Sequence, residues 1–255
     1  MTARATLRRE DLARPTLDAA QALLGALLVR EDAGGKRIGR IVEVEAYIGE
    51  DDLASHARFG RTARNAVMYG RPGIAYVYLV YGMYDCLNVV TEPEGLPAAV
   101  LIRAVEPVEG GTAMRQARIA RERRRGPPAG GGTTGTTGAG LAGQAGRLQR
   151  LSEARLASGP GLVAVAFDIT RVDTGTDLLH PESTLRLEPG RQPHELVATP
   201  RVGIAYAAEP WRSRPWRLLD PTSPAVSGNP RTEGPQELHL GLPRATRRMT
   251  PPSSR

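Results

Sequence analysis

Cysteine is nearly absent from this chain of 255 residues: there is one, Cys86. A single thiol excludes an intramolecular disulfide, a four-cysteine zinc site and a cysteine-held iron–sulfur cluster. Lysine is as scarce. Among 34 basic residues only Lys36 is not an arginine, so chemistry through a lysine Schiff base has one candidate, and it sits in a Gly-Gly-Lys-Arg turn where a solvated role is the ordinary one. No segment approaches the about 18 continuous apolar residues of a membrane span, and the first eleven residues lack the apolar stretch of a secretory signal. The expectation is an intracellular soluble protein. Aromatic residues make up only 4% of the chain, yet five of its seven tyrosines fall between Tyr69 and Tyr84.

What is abundant is arginine, glycine and proline. The 34 basic residues outnumber 27 acidic ones, for a net charge of +7. Such a surface faces phosphate, whose geometry the guanidinium fork matches, although a GC-rich genome would also favour arginine over lysine. The excess of positive charge is not explained by codon usage. Two stretches are too poor in large side chains to build a core. Residues 126–146 are a Gly/Thr-rich run after the Arg121–Arg125 cluster, expected to be a flexible inserted loop. Residues 228–255 read as a mobile tail.

Between these, local patterns set the elements. After Pro15, with Thr16 as an N-cap, the apolar positions Leu17, Ala20, Leu24, Leu27 and Leu28 recur at helical spacing and predict an amphipathic helix to Arg30. Ala33–Lys36 reads as a hairpin turn. From Arg40 to Ile48 the pattern alternates, with Val42, Val44, Ala46 and Ile48 on a core face and Glu43, Glu45 and Tyr47 on the other. Strands are expected over Ile74–Val80, Asp85–Thr91 and Ala98–Val105, joined by short connections, which makes an antiparallel meander. Pro200–Tyr206 is expected to return as a strand.

The candidate chemistry lies on this frame. Tyr81 begins the tight turn permitted by Gly82, where an aromatic can project as a wedge into a base stack, whereas Tyr78 can serve as a platform for an extruded base; either tyrosine also suits a half-buried strand. Glu45 is either a solvated acid paired with an arginine or a carboxylate that deprotonates water and steadies an oxocarbenium-like sugar. His56 is either part of that site or a surface hydrogen-bonding group.

The blocks Gly39-Arg-Ile-Val-Glu-Val-Glu45-Ala-Tyr47, Ala54-Ser-His56, Arg64-Asn65, Met68-Tyr69, Tyr76-Val-Tyr78-Leu-Val-Tyr81-Gly82-Met83, Cys86-Leu-Asn88 and Leu101-Ile-Arg103, followed by Ser158-Gly-Pro-Gly, Pro200-Arg-Val-Gly-Ile and Ser223-Pro-Ala-Val-Ser227, resemble in order the alkyladenine (3-methyladenine) DNA glycosylase family. The resemblance implies an α+β fold. It would be a single domain over residues 12–227, an antiparallel curved β-sheet with surrounding helices and a protruding β-hairpin. It implies a base-excision repair hydrolase that flips alkylated or deaminated purines from double-stranded DNA, with neither cofactor nor metal, acting as a monomer on nucleoid DNA in the cytoplasm. By similarity, Glu45 activates water and Arg103 lies beside that water and a phosphate. Tyr47, His56, Tyr78 and Asn88 form the base pocket, Tyr81 intercalates, and Arg64, Met83 and Arg201 contact DNA. Three features depart from the family pattern: Tyr69 stands where phenylalanine is usual, the Gly/Thr insertion lengthens a connection, and Leu218–Pro221 replaces an aromatic strand. A noncatalytic nucleic-acid-binding module on the same fold is the competing reading, and loss of Glu45 separates the two.

Overall fold

A computed structural model gives the arrangement of residues 7–125, 143 and 146–228. Most of the Gly/Thr-rich stretch and nearly all of the expected tail lie outside these residues. The chain opens with a short helix α1 (Arg9–Leu12) and α2 (Thr16–Leu23). Thr16 is not the cap expected of it but the first helical residue. Its backbone N–H and hydroxyl donate to Glu92 Oε1 at 3.1 and 2.5 Å, which places a carboxylate at the positive end of the helix. The helix ends at Leu23, well short of the Arg30 that the apolar spacing predicted. Gly25 is the reason. Its φ is +78°, and a Cβ there would lie 2.1 Å from the Arg191 carbonyl oxygen, so the chain turns tightly and leaves as strand β1 (Leu27–Asp32).

The hairpin turn falls where expected: Asp32 pairs with Gly35, and Asp32 Oδ1 accepts from the Gly34 N–H at 2.8 Å. The next strand, β2 (Gly35–Ile48), is the longest among the described residues. It is followed by β3 (Ala75–Val80), β4 (Tyr84–Val90) and β5 (Ala98–Glu109), the expected antiparallel meander. Helix α3 (Gly111–Arg125) and helix α4 (Pro160–Ala166) come next, and three short strands complete the sheet: β6 (Leu185–Glu188), β7 (Val197–Thr199) and β8 (Arg217–Leu219). The order is β3-β4-β5-β2-β1-β6, with β8 pairing both β2 and β7. Every ladder among the described residues is antiparallel, so this is an α+β domain around one open eight-stranded sheet.

Alternation assigns the two faces. Ala75 and Val77, Leu87 and Val89, Val100 and Ile102 join Leu23, Leu24, Leu28, Met114, Val163 and Phe167 in the main core under the helices. The residues between them, Tyr76 and Tyr78, Cys86 and Asn88, Leu101 and Arg103, line a cleft on the opposite face. In β2 the expected alternation breaks. The register against β5 slips between Ile41 and Val44, so Val42 leaves the face of Val44 and joins Ala104, Leu219, Ala225 and Val226 in a separate small cluster. The predicted strand over Pro200–Tyr206 is absent. The strand is β7, which stops at Thr199, and proline cannot donate the ladder hydrogen bond that would extend it.

Candidate active site

The cleft encloses about 530 Å³ and is walled by Tyr47, His56, Tyr76, Tyr78, Asn88, Arg103 and Tyr206, with Arg64 and Tyr81 at its edge. This volume falls within the range of small-molecule sites. Four of the tyrosines come from strands of the sheet or its hairpin, positioned by the period of two that sends alternate residues to one face.

Beneath the wall lies a buried ionic floor. Glu43 and Glu45, two residues apart on β2, have no exposed surface and share Arg103. Arg103 donates from Nε to Glu43 Oε1 at 2.7 Å, and its Nη1 lies 3.2 Å from Glu45 Oε1. Arg217 on β8 donates to the same Glu43 oxygen at 2.8 Å. The backbone N–H of Ser227 donates to Glu43 Oε2 at 2.6 Å, and the Ser227 hydroxyl to Oε1 at 2.8 Å. Burial alone would raise the Glu43 pKa, but the attraction of Arg103 and Arg217 holds it below the ordinary carboxylate value. The same pair of carboxylates lifts the Arg103 pKa against the opposing effect of its burial.

Glu45 is held differently. Its Oε1 accepts from the Val202 N–H at 2.7 Å and its Oε2 from the Tyr47 hydroxyl at 2.9 Å. Tyr47, Arg103 and Val202 all line the cleft, so the carboxylate sits directly behind its wall. The Pro200–Tyr206 segment thus contributes a backbone donor by turning where a strand would have run straight. Tyr47 is itself braced from behind. The guanidinium of Arg201 lies 4.7 Å from its ring centroid and 5.0 Å from that of Trp216, and Arg201 makes a bidentate pair with Asp52 at 2.6 and 2.9 Å. The Arg201 side chain is fully buried, paired with Asp52 inside the protein behind the cleft wall.

The aromatic wall is set by short contacts. The His56 ring meets the Tyr78 ring edge-on at 4.3 Å between centroids, and Tyr76 lies 5.5 Å from Tyr78. His56 Nδ1 and the Tyr76 hydroxyl are 2.9 Å apart. Burial, followed by the nearby charges of Arg64 and Arg58, lowers the His56 pKa to about 4, so the imidazole is neutral at physiological pH. The Asn88 amide donates to the carbonyls of Tyr76 and Cys86 at 3.1 and 3.3 Å, which fixes its orientation beside the cleft.

At the end of the β3–β4 hairpin, Val80 pairs with Tyr84 and the turn comprises Tyr81, Gly82 and Met83. Tyr81 is 81% exposed and holds φ at +51°, a left-handed conformation that costs a residue with a Cβ about 1–2 kcal/mol. Packing does not offset that cost, since the ring lies in solvent. Met83 beside it is also exposed, and Arg64 donates to the Leu79 carbonyl with its guanidinium 5.8 Å from the Tyr78 ring. Of the ten residues singled out in the sequence, the structure therefore gathers Glu45, Tyr47, His56, Tyr78, Tyr81, Asn88, Arg64 and Arg103 at one cleft, Met83 at the adjoining tip, and Arg201 behind the wall. Glu43, Tyr76, Val202, Arg217 and Ser227 were missed as site residues. For Glu43 there was a signal, its spacing of two from Glu45 on one strand.

Among the described residues no helix is long and apolar enough to cross a membrane, and no cluster of three or more His, Cys, Asp or Glu is placed to hold a metal. The chain matches the family model of methylpurine-DNA glycosylases over residues 10–224. It is 45% identical over 221 residues to a Methanocella arvoryzae protein named as a 3-methyladenine DNA glycosylase, covering 87% of this chain and 95% of the relative. Proteins with the same name from Myxococcus xanthus and Streptomyces avermitilis are 42% and 40% identical, over 86% and 89% of this chain and 91% and 95% of their own lengths. With a carboxylate behind an aromatic cleft and this similarity along nearly the whole described chain, the protein belongs to the methylpurine-DNA glycosylase family, hydrolases of DNA base-excision repair.

Proposed function

We propose that the cleft receives an alkylated or deaminated purine flipped out of double-stranded DNA, with 3-methyladenine, the base in the relatives' names, as the reference substrate, and that Glu45 activates the water that releases it. The observation that carries this reading is the setting of Glu45. Two hydrogen-bond donors and the Arg103 guanidinium orient its carboxylate at the back of an aromatic cleft, on a strand paired along its length.

A purine methylated at N3 or N7 is cationic and is already a good leaving group. Glu45 takes a proton from water, the water oxygen bonds to C1′, and the electrons of the breaking N-glycosidic bond pass into the ring, which leaves neutral. The product is an abasic site, and no lysine intermediate is needed. Because Glu45 has no exposed surface, the Tyr47 hydroxyl must turn aside for water to reach Oε2, and a base stacking on the Tyr47 ring is positioned to drive that shift. The wall suits the substrate: rings of Tyr47 and Tyr78 attract a cationic base, and a neutral His56 does not repel it. Asn88, pinned by two carbonyls, cannot withdraw from the space that guanine's exocyclic amine would enter. Tyr81 is placed to fill the gap in the stack, and Arg64 and Met83 to meet the flanking DNA. Glu45→Gln keeps the shape but cannot take the proton, so base release under single turnover should fall more than about a hundredfold while DNA binding persists. Release within threefold of the unaltered protein would overturn the role of Glu45.

A further inference from the structure

The chain has only two phenylalanines, and it leaves one of them in solvent. Phe167 is fully buried in the main core, whereas Phe59 is 80% exposed. Phe59 ends a four-residue 3₁₀ turn (His56–Phe59) that begins with the cleft residue His56. Three residues of such a turn advance about 6 Å, so Phe59 stands just outside the cleft mouth. Arg58 lies between two rings, with its guanidinium 4.6 Å from the centroid of Phe59 and 5.4 Å from that of Tyr206, which is itself 63% exposed and lines the cleft.

This rim is positive without an internal counter-charge. From His56 to Asn65 the chain carries Arg58, Arg61 and Arg64 and no acid. Among the described residues none of the three forms an ion pair. Each instead lies near an aromatic ring, Arg61 near Tyr69 at 5.5 Å and Arg64 near Tyr78 at 5.8 Å. Arg58 donates one hydrogen bond, to the Leu53 carbonyl at 3.2 Å. A guanidinium lying flat on a ring keeps N–H groups at its edge for an anion, and an exposed aromatic beside it offers a face to a base. The cation of Arg58 between the rings of Phe59 and Tyr206, joined to the pocket of a DNA enzyme through Tyr206, fits a nucleic-acid strand better than an apolar protein surface.

We infer that Phe59, Arg58 and Tyr206 form a docking rail for the nucleotide next to the lesion on the damaged strand. Arg58 takes its phosphate and Phe59 covers its base. The inference rests on the reading of the cleft as the lesion pocket. Its test is an enzyme titration of binding and single-turnover base release on a duplex with one methylated purine. Phe59→Ala should raise the half-saturating concentration at least about fivefold, the lower bound for loss of a base–aromatic stack, and leave the rate at saturation and the melting temperature unchanged. Arg58→Gln should reduce the slope of log affinity against log salt by about one. Phe59→Trp should restore affinity, and the emission of the added indole should change when DNA binds. Unchanged half-saturation for Phe59→Ala, or an indole whose emission ignores DNA, overturns the rail. If the unaltered protein releases no base, the reading of the cleft fails instead, and the binding arm still measures Phe59 by itself.

Discussion

At the floor of the cleft Glu43, Glu45, Arg103 and Arg217 are buried, while at its rim Phe59, Tyr81, Met83 and Tyr206 lie in solvent. The opposite face of the same sheet does the reverse and buries valine and leucine under the helices. Desolvated charges are tolerable only when each is matched, and the floor meets that condition with a network in which Glu43 alone accepts from two arginines and from the N–H and hydroxyl of Ser227. The rim has no such internal logic. A tyrosine in a left-handed conformation with its ring in water and a phenylalanine at the end of a surface turn contribute little to folding. The floor is thus stabilised by the protein's own pairs, whereas the exposed rim gains little from the fold.

Removing Glu43 should separate the two regions most sharply. Glu43→Ala strands Arg103 and Arg217 without their shared carboxylate, and stability should fall by about 3–5 kcal/mol in denaturant unfolding, as for other broken buried pairs. A loss below about 1 kcal/mol would mean that the floor is not the clamp its distances describe. Tyr81→Ala should show the opposite profile. Its unfolding free energy should stay within about 0.5 kcal/mol of the unaltered protein, while extrusion of the lesion, followed by a fluorescent base placed next to it, should weaken by about 1–3 kcal/mol. Full extrusion by this variant would make Tyr81 an ordinary turn residue.

A smaller effect should appear in the pH dependence of stability. His56 has a folded-state pKa of about 4 against an ordinary 6.5, so between these values the unfolded chain holds a proton that the folded one refuses. Its contribution is complete above about pH 6.5 and declines as pH falls towards 4. Glu43, whose pKa is also depressed in the folded state, loses its contribution only below its ordinary 4.5. Unfolding curves of His56→Gln should therefore be flatter than those of the unaltered protein between pH 6.5 and 4.5. Parallel curves would place the imidazole in a more solvated setting.

The parts of the fold that were legible in the sequence are those written in neighbouring residues. Three strands with short connections gave the β3–β5 meander, glycine gave both hairpin turns, and ordered blocks gave the family. What failed depends on residues far away. The helix through Leu28 was an apolar pattern that Gly25 interrupts because Arg191 passes against it, and nothing local announces that approach. The slip in β2 moves Val42 away from Val44 although their spacing fits one face. Arg201 was assigned to DNA by similarity alone, and its pairing with Asp52, 149 positions earlier, was not legible at all. Charge pairing across such distances leaves no trace in a single sequence, and the floor of the site is made of little else.

The wide spacing of those partners has a consequence for the order in which the protein is made. Glu43 and Glu45 leave the ribosome early, Arg103 follows, and Arg217 and Ser227 come more than a hundred residues later. Until they arrive, the nascent sheet carries at its centre two carboxylates facing one arginine, a charge excess that resists burial. Domains generally fold as their chain emerges, but here the centre of β2 can close only when β8 and Ser227 are added. The last described residues of the chain are thus the ones that permit its central strand to close, so a chain truncated before Arg217 should fail to bury the centre of β2 instead of folding without a tail.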